Sequence, residues 1–198
     1  MIRDFHLADF LTLANGMCGT AAIFQAMDQV QEARADRVYG AGLLVVGALC
    51  FDVLDGRIAR WRHKASALGR ELDSLADVIS FGVAPACLAY AVGMQTPWDV
   101  LALLYFVACG ISRLARYNVT AEALSEERGK VRYFEGTPIP TSVLLVLVMV
   151  GLAWCGRIGA QLPLGIVSLG SFTLHPLVLL FVISGSLMIS KTLHVPKP

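Results

Sequence analysis

Six long apolar runs occupy most of this 198-residue sequence. They fall at about 7–27, 39–60, 72–94, 98–118, 138–157 and 172–191. Each has the roughly 17 to 25 residues with which a helix crosses the hydrocarbon core of a bilayer. The sixth helix has an alternative start at Pro176, because proline suits the first helical position. The runs predict an all-α, polytopic membrane protein with six transmembrane helices, in which residues 1–198 form a single integral-membrane domain.

Composition excludes most other classes of protein. Hydrophobic residues make up 56% of the chain and charged residues 16%, against about 25% charged in an ordinary soluble domain. The five cysteines all lie inside apolar runs, which indicates buried, reduced thiols and not a disulfide scaffold. The formal net charge is +1, so no nucleic-acid partner is expected.

Basic residues predict how the bundle is oriented. With six spans, both termini lie on one side of the membrane, and that side carries thirteen of the sixteen Lys and Arg residues. These are Arg3, Arg57, Arg60, Arg62, Lys64, Arg70, Arg113, Arg116, Arg128, Lys130, Arg132, Lys191 and Lys197, against Arg34, Arg37 and Arg157 on the other side. Because basic loops stay in the cytoplasm, we expect both termini to lie on the cytoplasmic face of the cell (inner) membrane.

Four aspartates interrupt the second and third apolar runs. Asp52 and Asp55 lie near the end of the second run, and Asp73 and Asp77 open the third. An ionised Asp at the centre of a membrane helix costs about 2.5–3.5 kcal/mol on insertion scales. The spacings of three and four place each pair on one helix face, and the short intervening turn lets the two faces meet. Converging carboxylates predict a site for about two hard divalent cations, which prefer oxygen ligands.

Small residues share these helix faces. Gly56 and Ala59 extend the stripe of the second run, and Gly69 stands one turn before Asp73. Such residues indicate either close helix packing or space for a ligand beside the carboxylates. Because they lie next to the paired aspartates, the second interpretation is favoured. Nearby basic residues reflect either the positive-inside bias or an anionic substrate; they are Arg60, Arg62, Lys64 and Arg70. A cation site facing the cytoplasm suits the binding of phosphates.

Together these residues form a known pattern. It reads Asp52-x-x-Asp55-Gly56-x-x-Ala59-Arg60, then eight residues, then Gly69-x-x-x-Asp73-x-x-x-Asp77. The pattern resembles the signature of the CDP-alcohol phosphotransferase family at all eight specified positions. The six helices of that family also agree with the six runs. The resemblance implies transfer of a phosphatidyl group from CDP-diacylglycerol to an alcohol, with release of CMP, while the diacylglycerol tail stays in membrane lipid.

Three further segments resemble the members of this family that use L-serine as the acceptor. They are Leu11–Gly19 (LTLANGMCG), Ser112–Asn118 (SRLARYN) and Phe134–Thr141 (FEGTPIPT). These segments imply that phosphatidylserine is the product. Glycerol phosphate and inositol phosphate remain as alternative acceptors. The family also suggests a homodimer.

The resemblance assigns expected roles to individual residues. The metal ligands, for two Mg²⁺ or Mn²⁺ ions, are Asp52, Asp55, Asp73 and Asp77, and Asp77 is also the catalytic base. CDP-diacylglycerol is bound by Asn15, Gly19, Asp52, Asp55, Gly56, Ala59, Arg60, Gly69 and Asp73. Serine is bound by Arg113, Arg116, Asn118, Glu135, Gly136 and Pro138. Two alternatives to substrate binding stay open. Asn15 would form a hydrogen bond between helices, and Arg113 and Arg116 would anchor their helix at the membrane surface.

A cation channel or transporter is the other class of function that buried aspartates suggest. It predicts acidic groups spread through the membrane depth and broken helices in paired repeats. In this sequence Asp52, Asp55, Asp73 and Asp77 cluster near one end of the spans, and no internal repeat occurs. The enzyme is therefore the favoured interpretation.

Overall fold

The computed structural model describes residues 7–32, 34–62, 67–126, 133–169, 172–190 and 194–196. Its helices are α1 (Leu7–Glu32), α2 (Ala35–Arg62), α3 (Ala67–Asp77), α4 (Ala84–Ala91), α5 (Pro97–Glu126), α6 (Val143–Trp154) and α7 (Leu179–Ile189). Short 3₁₀ turns lie at Ile139–Ser142, Gly159–Gln161 and Pro176–Val178. Three-residue strands form two antiparallel pairs, β1 (Tyr133–Glu135) with β4 (His194–Pro196) and β2 (Val167–Leu169) with β3 (Phe172–Leu174).

The membrane-spanning helices agree only in part with the six predicted spans. Within the described ranges, four helical segments are long and apolar enough to cross a membrane: Ala8–Glu32, Ala35–Ile58, Leu68–Ala91 and Pro97–Val119. The other two apolar helical segments, Ile139–Trp154 and Pro176–Ile189, are shorter. The predicted all-α membrane fold is confirmed, whereas the count of six full-length spans is not.

Local backbone geometry explains why the last two helices are short. Gly156, directly after the end of α6, has a φ of +66°, which glycine adopts without steric penalty and which no α-helix contains. The sixth helix was predicted from residue 172, but residues 172–174 form β3, paired with β2. Helical structure instead begins at Pro176, the alternative start.

Apolar side chains cover the outside of the bundle, and several polar side chains are buried within it. Met17, Leu43 and Leu144 are 72%, 74% and 66% exposed, whereas Asn15 and Ser80 are fully buried. In water this distribution would be unfavourable. In lipid it is favourable, because the hydrocarbon solvates the apolar surface and polar groups find partners inside the protein. The protein is therefore a membrane protein.

Small residues allow the helices to pack closely. α1 packs against α2 along much of its length. The buried residues on these two helices include small side chains, which let the helices approach closely: Ala22, Ala26, Ala41 and Ala48. Between α5 and α7, a Cβ added at Gly185 would lie 3.2 Å from the Cα of Phe106. The rings of Phe106 and Phe181 meet edge to face, 5.3 Å apart. α1 also packs against α3, so it contacts both of the helices that carry the four aspartates, α2 and α3.

A π turn, Val78–Val83, joins α3 to α4 and begins directly after Asp77. The amide of Ala84 donates to the carbonyl of Ile79, five residues earlier. Pro85 explains the irregularity, because proline has no amide proton and its ring collides with the carbonyl four residues before it. The helix predicted over 72–94 therefore continues through this turn as the segment Leu68–Ala91, with π geometry over Val78–Val83. Such π turns are frequent at functional sites.

The first turn of α5 anchors the far end of the bundle. Thr96 Oγ1 accepts from the amide of Asp99 (3.2 Å), and Asp99 Oδ2 accepts from the amide of Thr96 (3.0 Å), a reciprocal cap. Asp99 also accepts from the amide of His175 (2.8 Å) and contacts its imidazole Nδ1 (2.6 Å). This buried network fastens the start of the last helical segment to α5.

Candidate active site

Three of the four predicted aspartates form one group. One carboxylate oxygen each from Asp52, Asp55 and Asp73 lies within 4.8 Å of the others. Asp73 Oδ1 is buried, and no described residue donates a hydrogen bond to it. Like charges at this distance repel strongly where water is sparse. The group has the oxygen chemistry and the excess negative charge that divalent cations require.

Asp77 lies outside that group, one helical turn beyond Asp73. Its side chain is buried at 6% exposure, and Asn15 Nδ2 donates to its Oδ1 at 3.2 Å. The charges of all three grouped aspartates still act on it. Asp77 thus borders the group from the interior of the bundle. Its predicted role as a fourth metal ligand stays a prediction.

α1 supplies two polar contacts to the aspartates, from Thr12 and from Asn15. Thr12 Oγ1 donates to Asp55 Oδ2 at 2.8 Å, so Thr12 belongs to the site although it was not predicted. Thr12 and Asn15 are three residues apart, which puts them on one helix face. That spacing was the available signal. The main-chain carbonyl of Asn15 also accepts from Ser80 Oγ at 2.9 Å, which joins α1 to the π turn.

The predicted nucleotide-binding glycines have different surroundings. A Cβ added at Gly56 would meet no atom within 4 Å, as expected for a position that a ligand approaches. A Cβ added at Gly19 would lie 2.6 Å from the Cα of Ser80, so this glycine permits close contact between α1 and the π turn. Gly69 lies on α3, one turn before Asp73. The side chains of Ala59 and Arg60, on α2, lie outside the described part of the chain.

Two of the predicted serine-binding residues lie on α5 beside the aspartates. Arg113 is 9% exposed, with its Cζ 5.9 Å from the ring centroid of Tyr117, and its charge interacts with that of Asp77. Asn118 Nδ2 donates to Ser74 Oγ at 3.0 Å and to Glu71 Oε1 at 3.4 Å. Since Ser74 adjoins Asp73 in sequence, both residues lie at the aspartate end of the bundle.

The other predicted serine-binding residues gather at the end of α7. Arg116 Nη2 donates to the carbonyl of Ile189 at 3.3 Å. Gly136, with a φ of +76°, lies so close to the carbonyl of Met188 that a Cβ would collide with it. Pro138 follows in the same loop, and its carbonyl accepts from both Thr141 N and Thr141 Oγ1.

The α5–α6 loop is therefore anchored from several sides. The amide of Thr137 donates to the carbonyl of Leu187 at 3.2 Å, and Glu135 pairs with His194 across the β1–β4 ladder. The side chain of Glu135 lies outside the described part of the chain. The structure thus brings Arg116 to the end of α7 beside this loop, and it places Arg113 where the charges of Asp77 and Arg116 both act on it.

Comparison with known proteins gives consistent matches. Residues 5–189 match the family described as CDP-alcohol phosphatidyltransferase. The CDP-diacylglycerol–serine O-phosphatidyltransferase of Saccharomyces cerevisiae is 45% identical over 204 residues, which cover 100% of this chain and 73% of that protein. The enzyme of the same name from Bacillus subtilis is 32% identical over 73% of this chain and 75% of its own length. Archaetidylserine synthase of Methanothermobacter thermautotrophicus is 36% identical over 71% of this chain and 55% of its own length.

The family match spans nearly the whole chain and includes the two helices on which the aspartates meet. The relatives named above are all named for serine products or substrates. This protein belongs to the CDP-alcohol phosphatidyltransferase family.

Proposed function

We propose that this enzyme transfers the phosphatidyl group of CDP-diacylglycerol to the hydroxyl of L-serine, giving phosphatidylserine and CMP. The observation that carries the proposal is the meeting of Asp52, Asp55 and Asp73 in a chain that is 45% identical over its full length to an enzyme of that name. We also propose that the enzyme lies in the cell (inner) membrane with both termini and the site in the cytoplasm, which the distribution of basic residues supports. The proposed homodimer rests on the family resemblance alone.

The grouped aspartates would hold two Mg²⁺ or Mn²⁺ ions. The buried, unpartnered Asp73 Oδ1 supports this, because such an oxygen needs a positive partner. When bound, the cations neutralise negative charge on the pyrophosphate and on the departing CMP. The open space beside Gly56 leaves room for those phosphates against the helix. Asn15, Gly19, Ala59, Arg60 and Gly69 complete the proposed CDP-diacylglycerol site.

Asp77 is the proposed general base. Serine Oγ forms a bond to the phosphorus next to the diacylglycerol, the bond from that phosphorus to the CMP oxygen breaks, and Asp77 takes the hydroxyl proton. A serine hydroxyl is a poor nucleophile at neutral pH, so proton removal by a positioned base is expected to matter. The hydrogen bond from Asn15 holds one oxygen of Asp77 in place.

Arg113 is the proposed partner of the serine carboxylate. Serine is small, so the group that binds its carboxylate must lie near the base that takes its proton, and the charge of Arg113 does interact with that of Asp77. A guanidinium binds a carboxylate in fork geometry. Arg116, Asn118, Glu135, Gly136 and Pro138 are proposed to shape the remainder of this pocket.

We expect Arg113→Lys to raise the KM for serine about tenfold or more, because lysine keeps the charge but loses the bidentate fork. The KM for CDP-diacylglycerol should change little. Steady-state assays in detergent micelles, varying one substrate at a time, give both values. Equal increases in the two KM values would instead assign Arg113 a structural role.

The proposed reaction is tested with purified protein, CDP-diacylglycerol, a divalent cation and a panel of alcohols. CMP release and a phosphatidylserine product should appear with L-serine, and with neither glycerol phosphate nor inositol phosphate. Consumption of either alternative acceptor would overturn the choice of serine and leave the family reaction intact. Cation flux into vesicles that contain the protein, without CMP release, would show that the protein is a channel or transporter and not this enzyme.

A further inference from the structure

One hydrogen bond to the aspartate group comes from α1, a helix that carries none of the three grouped aspartates. Thr12 is 4% exposed, and its Oγ1 lies 2.8 Å from Asp55 Oδ2 on α2. A buried hydroxyl that donates to a carboxylate forms a charge-assisted hydrogen bond, stronger than a neutral one. The contact joins residues 43 positions apart in sequence, so it exists only because α1 packs against α2.

The hydroxyl of Thr12 has two acceptors within reach. Besides Asp55 Oδ2, the carbonyl of Ala8 lies 3.1 Å away, one turn earlier on the same helix. A hydroxyl has one proton, and the carboxylate is both nearer and charged, so Asp55 receives it. The branched side chain has few rotamers in a helix. The donor is therefore set in place before any ligand arrives.

We propose that Thr12 is a positioning residue for the cation site. By donating to Oδ2 of Asp55, it sets the orientation of that carboxylate within the group that Asp55 forms with Asp52 and Asp73. The inference rests on the proposed cation site of the previous section. It adds a residue from a third helix that acts on the ions only through Asp55.

Two variants at this position separate the hydroxyl from the shape of the side chain. Thr12→Val keeps the branched shape and removes the hydroxyl that donates to Asp55 Oδ2. Thr12→Ser keeps the donor. The matched control is Thr20→Val on the same helix, because Thr20 Oγ1 donates within its own helix, to the carbonyl of Gly16 (2.9 Å).

The primary readout is Mn²⁺ binding to the purified, detergent-solubilised protein without substrate, followed by electron paramagnetic resonance of the free ion. Loss of an outer hydrogen bond to a metal ligand typically weakens metal affinity 10- to 100-fold. We expect Thr12→Val to raise the Kd for Mn²⁺ by about tenfold or more. Thr12→Ser and Thr20→Val should stay within about twofold of the unaltered protein. CMP release by Thr12→Val should recover at higher Mn²⁺ concentration.

Three outcomes would overturn the inference. One is an unchanged Mn²⁺ affinity in folded Thr12→Val, and another is an equal loss in Thr20→Val. If Thr12→Val does not fold, Thr12→Ala is measured in its place, and failure of both to fold would make Thr12 a folding residue only. An unaltered protein that makes phosphatidylserine without binding Mn²⁺ or Mg²⁺ would instead contradict the proposed cation site itself.

Discussion

Asp77→Asn is expected to lower kcat for CMP release by about 10²- to 10⁴-fold, the usual contribution of a general base. The substitution keeps the shape of the side chain and removes its ability to take a proton. Its amide oxygen can still accept from Asn15 Nδ2, which now donates to Asp77 Oδ1 at 3.2 Å. The fold should therefore survive, although Asp77 is almost fully buried. Turnover under saturating serine and CDP-diacylglycerol measures the effect.

Two controls make the Asp77 result specific. Asp36→Asn, at an exposed position that pairs with Arg34, should leave kcat unchanged. Mn²⁺ binding should persist in Asp77→Asn, because the three grouped aspartates remain. Turnover within about tenfold of the unaltered enzyme would exclude Asp77 as the base. Loss of Mn²⁺ binding together with turnover would show that Asp77 is chiefly a metal ligand.

Removal of divalent cations should have the other large effect. Charge stabilisation by bound cations supplies several kcal/mol in phosphoryl chemistry, and each 1.36 kcal/mol is tenfold in rate. We therefore expect a chelator to lower CMP release by about a thousandfold or more. Activity should return when excess Mg²⁺ or Mn²⁺ is added.

The aspartate group provides the control for that experiment. Asp73→Asn should shift the cation requirement to higher concentration, because it removes one charge from the group that Asp73 shares with Asp52 and Asp55. A thermal melt in chelator separates loss of cations from loss of fold. Full activity in chelator, with the protein still folded, would remove cations from the proposed reaction.

The acidic group was predictable from sequence because it depends on local helical geometry. Asp52 and Asp55 are three residues apart, and Asp73 and Asp77 four apart, so each pair shares a helix face wherever the helix packs. The apolar runs that contain them likewise predicted membrane helices, since length and hydropathy are properties of a segment alone. The short connection between the two runs then brought the two faces together.

The ends of the last two helices were less predictable. Hydropathy over 172–174 is as suitable for a helix as for a strand, and the pairing of β3 with β2 decided for the strand. The π turn after Asp77 is a similar case, because Pro85 lies in an apolar stretch that otherwise continues the helix. Both features depend on how main-chain hydrogen bonds are satisfied, which an average over side chains does not report.

The membrane fold, the positions of the four aspartates on its second and third helices and the family were all predictable from the sequence alone. Tertiary packing was needed to show that Asp77 borders the group that the other three form, that Arg113 is buried where the charge of Asp77 acts on it, and that Thr12 reaches Asp55 across 43 residues. The physical reason is the range of the interactions. Helix periodicity acts over a few residues, whereas the contacts of α1 and α5 with the aspartates exist only after separate helices pack together.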